Sequence, residues 1–191
     1  MKRSPRLYFV GAHDVGKSTL VRWASTRYGL PIVHEIASEI ASRYPVPLDK
    51  LRLDVDGISS YQREVFREQI AREAAHGDGG FVSDRAFDNL GYLAEHGEGL
   101  ADVVESEECQ RYVASVRERG IVFFVRPHGA GHTTDGRRAQ SDLNLASQAR
   151  IDGMILWMLG VWRVPYFEIA SSSQRDRQRF VESIVKLATR G

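Results

Sequence analysis

Near its amino terminus the chain reads Leu7-Tyr8-Phe9-Val10-Gly11-Ala12-His13-Asp14-Val15-Gly16-Lys17-Ser18. The four apolar residues predict a buried β-strand, and the next eight fit the pattern G-x-x-x-x-G-K-[ST] without a mismatch. A helical pattern follows and ends at Gly29. Glycines let backbone N–H groups converge on phosphates, and the helix N-terminus adds the positive end of its dipole. The stretch therefore predicts a phosphate-binding loop (P-loop) for a nucleoside triphosphate.

The positions of this loop contribute different parts of the chemistry. Lys17 supplies a point charge toward the β- and γ-phosphates, the Ser18 hydroxyl is a predicted Mg²⁺ ligand, and the Thr19 hydroxyl suits a further phosphate oxygen. The other predicted nucleotide-binding positions are Gly11, Ala12, His13, Asp14, Val15 and Gly16.

Short apolar runs alternate with helical patterns along the rest of the chain. The predicted strands are 7–11, 31–35, 80–84, 121–126 and 165–169, and the predicted helices are 18–28, 59–76, 101–119, 143–160 and 174–190. Strands that are apolar almost throughout suit a parallel sheet covered on both faces. The pattern predicts an α/β P-loop NTPase fold, a three-layer sandwich of about five mostly parallel strands with helices on both faces. The alternation resumes after irregular stretches at 44–58 and 127–141, which predicts one domain over residues 1–191.

Composition limits the classes of protein that remain. Of 191 residues, 42% are hydrophobic and 27% are charged, which excludes a collagen or a mostly disordered chain. The formal net charge of +1 gives no overall field that favours DNA or an anionic membrane. Cys109 is the only cysteine, which excludes an intrachain disulfide and a cysteine zinc site. No apolar run is long enough to span a membrane, so we expect a cytoplasmic protein with no membrane partner.

Polar residues stand at the carboxyl ends of several predicted strands. Gly11, Glu35, Asp84 and Arg126 occupy such positions, where ligands bind in open α/β sheets. Asp84 suits Mg²⁺, directly or through water, and Arg85 suits a phosphoryl group because its planar cation binds two oxygens. Glu35 can accept the proton of an attacking hydroxyl. The alternatives are structural: Glu35 as a charge at a helix N-terminus, and Asp84 as a strand-end cap.

Length and motifs narrow the class of P-loop protein further. The sequence lacks the N-K-x-D guanine motif of a switch GTPase, and 191 residues are few for a motor or an AAA-type remodeller. A small kinase remains the natural interpretation.

These residues resemble the thymidylate-kinase and ribosylnicotinamide-kinase branch of P-loop kinases, over residues 7 to 187. Glu35 closes the second strand as an acidic residue does in that family, and Asp84-Arg85 with Asp88 and Tyr92, spaced D-R-x-x-D-x-x-x-Y, is similar to the family's motif after the third strand. Arg126, together with Asp135-Gly136-Arg137-Arg138, is similar to the lid arginines of the family. Residues 164–170 are similar to its adenine-side loop. Where thymidylate kinases prefer an acid followed by glycine, this chain has His13-Asp14.

The resemblance implies a kinase-type fold with a lid-like insertion at about 127–141. It implies ATP and Mg²⁺ as cofactors and transfer of the γ-phosphoryl group to a hydroxyl of a nucleoside-type acceptor. The implied catalytic residues are Lys17, Glu35, Asp84, Arg85 and Arg137, the metal ligands Ser18 and Asp84, and the further nucleotide contacts Arg126 and Arg138.

The acceptor has several alternatives. The most specific is the hydroxymethyl group of 5-hydroxymethyluracil in DNA, because the chain resembles phage-type DNA kinases in outline; its location would then be the host cytoplasm. The others are a free nucleoside or nucleotide, including nicotinamide riboside, and a regulatory NTPase without an acceptor. Arg63, Arg67 and Arg72 of the 59–76 helix either face a nucleic acid or pair with Glu64, Glu68 and Glu73 in solvent. His13 faces either the acceptor or solvent, and the sequence leaves the oligomeric state open.

Overall fold

Five β-strands form one sheet in the computed structural model, which describes residues 4–127 and 141–189. Strands β1 to β5 cover Arg6–Val10, Ile32–Val33, Phe81–Ser83, Gly120–Val125 and Tyr166–Ile169. Their order is β2-β3-β1-β4-β5 and every neighbouring pair is parallel. All five predicted strands and their parallel arrangement are confirmed.

Helices pack against this sheet to complete the predicted three-layer fold. In chain order, α1 to α9 cover Lys17–Tyr28, Ala37–Ala41, Leu48–Leu51, Val55–Ala74, Asn89–His96, Leu100–Glu105, Glu107–Arg119, Ser141–Val161 and Gln174–Ala188. Within the described ranges, no helix combines the length and the apolarity that a membrane crossing requires.

The central strand β1 is the rigid support of the P-loop. It lies between β3 and β4, and each of its five residues is buried. Phe9 stacks on Phe123 of β4 with ring centroids 5.1 Å apart, and Tyr8 meets Phe81 of β3 edge-on at 5.5 Å. Apolar side chains on both faces of β1 are therefore covered, which is why the run has no polar alternation.

A second, smaller core forms beside the end of β2. It joins α2, α3 and α4 through buried apolar side chains, namely Ile36, Ile40, Leu51, Ile58, Tyr61 and Val65. This cluster holds the short helices α2 and α3 against the long helix α4. The result is a wall of helices beside the carboxyl ends of β2 and β3.

Two predicted segments differ from the structure. The single helix predicted over 101–119 is wrong, because Ser106 adopts an extended conformation (ψ 143°) and its hydroxyl caps α7 by accepting from the Cys109 N–H at 3.2 Å. The stretch 44–58 is not wholly irregular, since it holds α3 and the first turn of α4. Trp157, on the apolar helix α8, is 52% exposed.

Candidate active site

The P-loop takes the tight path that its glycines predict. Gly11 and Gly16 have φ values of 149° and 89°, and Asp14 has the left-handed value of 58°. A Cβ atom on Gly11 would lie 2.4 Å from the Val125 carbonyl oxygen, so a side chain there would force the loop away from β4. Close approach of two backbones therefore explains the first glycine of the motif.

Lys17 is buried in the first turn of α1 and bound by the loop itself. Its ammonium donates hydrogen bonds to the carbonyl oxygens of Gly11 at 2.7 Å and Ala12 at 2.5 Å. Burial and the Arg85 guanidinium lower the pKa of Lys17 to about 8, although the carboxylates of Asp88, Asp84 and Glu35 oppose this shift. The cation is still mostly protonated at pH 7, so a phosphate oxygen can take the place of the loop carbonyls.

The other side chains of the loop divide by exposure. Ser18 and Thr19 are exposed, so both hydroxyls are open to a ligand, whereas Ala12 and Val15 are buried and pack beneath the loop. His13 is brought to the acceptor side, because its Nδ1 lies 3.3 Å from the Tyr92 hydroxyl.

Asp84 and Arg85 follow β3 directly and face the P-loop. Asp84 is buried with 7% exposure, and its charge acts on Lys17. Arg85 has an unusual backbone φ of 130° for a residue with a side chain, and such strain is common at functional sites. The fold therefore places a carboxylate and a guanidinium beside the phosphate loop.

The residues of the D-R-x-x-D-x-x-x-Y pattern contact one another at the start of α5. The Arg85 Nη1 atom lies 3.5 Å from Asp88 Oδ2, and the guanidinium carbon lies 5.3 Å from the centre of the Tyr92 ring. The Arg85 Nε and Nη1 atoms are buried, with no hydrogen-bond partner among the described residues. The guanidinium is thus held by charge and ring contact while retaining donor capacity.

Glu35 fits both of its predicted roles at once. Its Oε1 atom accepts a hydrogen bond from the Ala37 N–H at 3.0 Å, at the start of α2, and lies 3.8 Å from Arg85 Nε. The side chain is partly exposed and lines a cleft. One carboxylate oxygen is therefore fixed by backbone while the residue still faces open space.

This cleft, with a volume of about 1020 Å³, opens beside the P-loop. Its walls come from the P-loop, the end of β2, α2 to α5 and α8. They include His13, Asp14, Glu35, Tyr61, Arg85 and Tyr92. Of the predicted catalytic residues, Glu35 and Arg85 line this cleft.

The predicted lid arginines are Arg126, Arg137 and Arg138, of which the structure describes only Arg126. Arg126 is bound to neighbouring elements, with Nη2 3.0 Å from Asp152 Oδ2 and Nη1 3.5 Å from Glu168 Oε2. Its guanidinium carbon also lies 5.1 Å from the centre of the Phe124 ring. Arg137 and Arg138 lie outside the described residues, as does most of the 127–141 insertion.

The arginines of α4 are occupied by carboxylates. Arg72 pairs with Glu39 and Glu68, Arg67 with Glu108, and Arg63 with Asp102. The predicted partners Glu64 and Glu73 are wrong, because Glu64 pairs with Arg43 and Glu73 is buried. Tyr8, Tyr112 and Gln69 donate hydrogen bonds to its carboxylate. These contacts match the solvated-face alternative and leave no free arginine patch on the described part of α4.

Arg177 of α9 is a P-loop contact that sequence reasoning missed. It is 3% exposed, its Nη1 donates to the Val15 carbonyl at 2.9 Å and its Nε donates to the Ser171 carbonyl at 2.5 Å. A Cβ on Gly16 would lie 3.1 Å from Nη1. Arg177 thereby joins the P-loop to the loop after β5. Its position in an amphipathic helix with several other arginines gave no signal of this contact.

Comparison with known proteins gives a family match and a fold. The model of the family AAA_28, described as AAA domain, matches residues 6–177. The length argument against AAA-type proteins therefore does not extend to this domain type. A search of curated proteins found no match to the chain.

Solved structures that resemble the chain carry the kinase-type P-loop fold. The NadR protein in complex with NR has a TM-score of 0.74 and 16% identity, over 99% of this chain and 52% of that chain. Deoxyadenosine kinase from M. mycoides with bound dATP has a TM-score of 0.61 and 12% identity, over 95% and 99%. Shikimate kinase from Acinetobacter baumannii in complex with shikimate has a TM-score of 0.52 and 15% identity, over 98% and 94%. This chain thus spans about half the length of the NadR protein, and the predicted fold class is confirmed.

Proposed function

This chain belongs to the AAA domain family, and from that premise we propose that it is an ATP-dependent phosphotransferase. It moves the γ-phosphoryl group of ATP to a hydroxyl of a small nucleoside-type acceptor. The observation that carries the proposal is the cleft of about 1020 Å³ beside the P-loop, lined by Glu35 and Arg85. Hydrolysis requires room only for water, whereas this volume suits an organic second substrate.

The donor side rests on the P-loop. Its backbone N–H groups and the start of α1 bind the phosphates, and Lys17 leaves its loop carbonyls to contact the β- and γ-phosphates. Ser18 and Asp84 would hold Mg²⁺, since an exposed hydroxyl and a carboxylate are the hard oxygen donors that this ion prefers. Bound magnesium neutralises charge on the phosphate oxygens.

The acceptor side rests on Glu35 and Arg85. Glu35 acts as the general base that takes the proton from the attacking hydroxyl, and its bond to the Ala37 N–H fixes the carboxylate for that task. Arg85 binds the transferring phosphoryl group, which its unused buried donors support. Arg137 and Arg138 remain predicted lid residues that close over the phosphates. For Arg126 to contribute in the same way, its ion pairs with Asp152 and Glu168 would have to open.

The nature of the acceptor is inferred from the cleft and from similar proteins. One similar structure contains NR and another is a deoxyadenosine kinase, which supports a nucleoside-type molecule. The DNA base that the sequence suggested would need a cationic surface around the cleft. Because the arginines of α4 are already paired, the described residues favour a free acceptor over DNA.

Transfer of label from [γ-³²P]ATP tests the proposal. One pool of acceptors contains nucleosides, deoxynucleosides, nucleotides and nicotinamide riboside, and the other contains duplex DNA with and without 5-hydroxymethyluracil. We expect label on a member of the first pool, dependent on Lys17. Label on modified DNA alone would replace the free acceptor with a DNA base, and label on neither pool would contradict the phosphotransferase proposal.

A further inference from the structure

Further basic side chains line the acceptor cleft besides Arg85. We call three of them, Arg52, His96 and Arg150, the outer rim. Arg52 and Arg150 are exposed, whereas the Arg85 side chain is only 16% exposed. Arg52 follows α3, His96 ends α5 and Arg150 lies on α8. The charges of Arg52 and Arg150 both act on His96, so three elements bring these side chains together.

The charges of the cleft are largely neutralised in pairs. Glu35 lies near Arg85, and both Glu95 oxygens accept from Arg150 Nε, at 2.7 and 2.8 Å. The Arg52 guanidinium has no ion pair or hydrogen bond with the side chains described, those of residues 4–127 and 145–189. Its charge acts on Tyr61 and on His96, which both line the cleft.

His96 adds a neutral hydrogen-bonding group beside this cation. Burial and the nearby charge of Arg52 lower the pKa of His96, although Glu95 opposes the shift. At neutral pH the imidazole is therefore uncharged and does not compete with Arg52 for an anion. The cation left for a ligand at the outer rim is that of Arg52.

From this arrangement we infer that the acceptor carries an anionic group in addition to its reacting hydroxyl. The group is a phosphate ester or a carboxylate, and Arg52 is the specificity-determining residue that binds it. A guanidinium binds either anion through two parallel hydrogen bonds. This inference rests on the proposed function, because it takes the hydroxyl to lie at Glu35.

Matched pairs of acceptors test the inference. Thymidine and thymidine 3′-monophosphate differ by a phosphate ester remote from the 5′-hydroxyl, and uridine and orotidine differ by a carboxylate. Their affinities are measured by calorimetry with a non-hydrolysable ATP analogue in the P-loop, for wild type, Arg52→Gln and Arg111→Gln. Arg111 is an exposed control on α7 that pairs with Glu107.

In wild type, we expect one anionic member to bind at least about tenfold more tightly than its neutral partner. Arg52→Gln should remove this preference and leave the neutral partner unchanged, while Arg111→Gln should behave as wild type. Equal affinities in wild type, or a preference that survives Arg52→Gln, would overturn the inference. So would tight binding confined to an oligonucleotide, which would assign the anion to a nucleic acid backbone. If the proposed function itself is wrong, the result is different: the wild-type protein transfers label to no acceptor.

Discussion

The P-loop and the acceptor cleft lie side by side but are built in different ways. The P-loop takes its shape from consecutive residues, with backbone carbonyls holding Lys17 and close packing that only glycine permits at position 11. The cleft takes its shape from side chains on five helices and at the ends of two strands, held by ion pairs and a separate small core. Backbone defines the first region, and side-chain chemistry defines the second.

Because of this difference, the P-loop binds the phosphate donor and the cleft selects the acceptor. Backbone N–H groups in a fixed loop bind any triphosphate, so the P-loop supplies the reacting group without choosing its destination. The destination depends on which side chains reach the cleft, and a few substitutions there would alter it while leaving the fold intact. Variants on each side should therefore affect different kinetic constants.

The largest effect is expected on the donor side. Lys17→Ala removes the cation that contacts the β- and γ-phosphates and should reduce phosphoryl transfer about a thousandfold or more. Label transfer from [γ-³²P]ATP measures the loss. Lys186→Ala, at an exposed position on α9, is the matched control. Activity of Lys17→Ala within tenfold of the control would show that the P-loop is not the donor site.

On the acceptor side, Glu35→Gln should lower kcat about a hundredfold or more without raising the KM for ATP. The amide oxygen still accepts from the Ala37 N–H, so the start of α2 is preserved while the base is lost. Steady-state kinetics gives both constants. Glu39→Gln, on α2 in ion pairs with Arg43 and Arg72, serves as control. Undiminished kcat in Glu35→Gln would end the assignment of this residue as the base.

The buried hydrogen-bond network of Glu73, which lies behind both regions, should make the stability of the fold depend on pH. Glu73 bonds Tyr8 of β1 and, through Gln69, contacts Ser83 of β3, and these strands lead to the P-loop and to Asp84. Burial raises the pKa of Glu73 to about 7, against the hydrogen bonds from Gln69, Tyr112, Tyr8 and Ser83.

Stability depends on pH here because the folded and unfolded chains bind different numbers of protons at Glu73. Between the ordinary value of 4.5 and about 7, the folded chain keeps the proton that the unfolded chain releases. The contribution of Glu73 to the free energy of unfolding should thus be greatest below pH 4.5 and should fall by about 3 kcal/mol as pH rises to 7. Urea unfolding at several pH values, compared with Glu73→Gln and the exposed control Glu107→Gln, measures it. Parallel curves for wild type and Glu73→Gln would contradict the account.

The smallest effect is expected at Arg177, which binds the P-loop from helix α9. Arg177→Met removes the bonds to the Val15 and Ser171 carbonyls and should raise the KM for ATP about tenfold. The KM for the acceptor should not change, because Arg177 does not line the cleft. Arg179→Met, two residues further along α9 and exposed, is the control. An equal rise in both KM values would mean that the two regions are not independent.

Much of the fold was predictable because its signals are local. The apolar runs of the strands and the eight residues of the P-loop need no distant partner to be recognised. Ser106 was missed because its flanking residues are good helix formers, and the break appears only once its hydroxyl caps α7. Because α8 is apolar on several sides, its sequence does not reveal that the face carrying Trp157 is exposed.

In the candidate site, too, the contacts between residues close in sequence were predictable, and those between distant residues were not. Arg85, Asp88 and Tyr92 could be grouped because they lie within eight residues of one another, in a stretch that resembles a kinase motif. The contact of Arg177 with Val15 joins residues 162 positions apart, and the position of Arg52 in the cleft depends on a four-residue helix that the sequence did not predict. Neither has a local pattern, so only the folded chain reveals them.

The central claim is that the cleft holds a second substrate that receives the phosphoryl group from the P-loop. The most direct test measures ADP formation with and without the acceptor that is labelled best. The account predicts very slow ADP formation alone, a saturable increase with acceptor, and one ADP for each phosphorylated product. The same rate of ADP formation at every acceptor concentration would contradict it and would favour a regulatory NTPase.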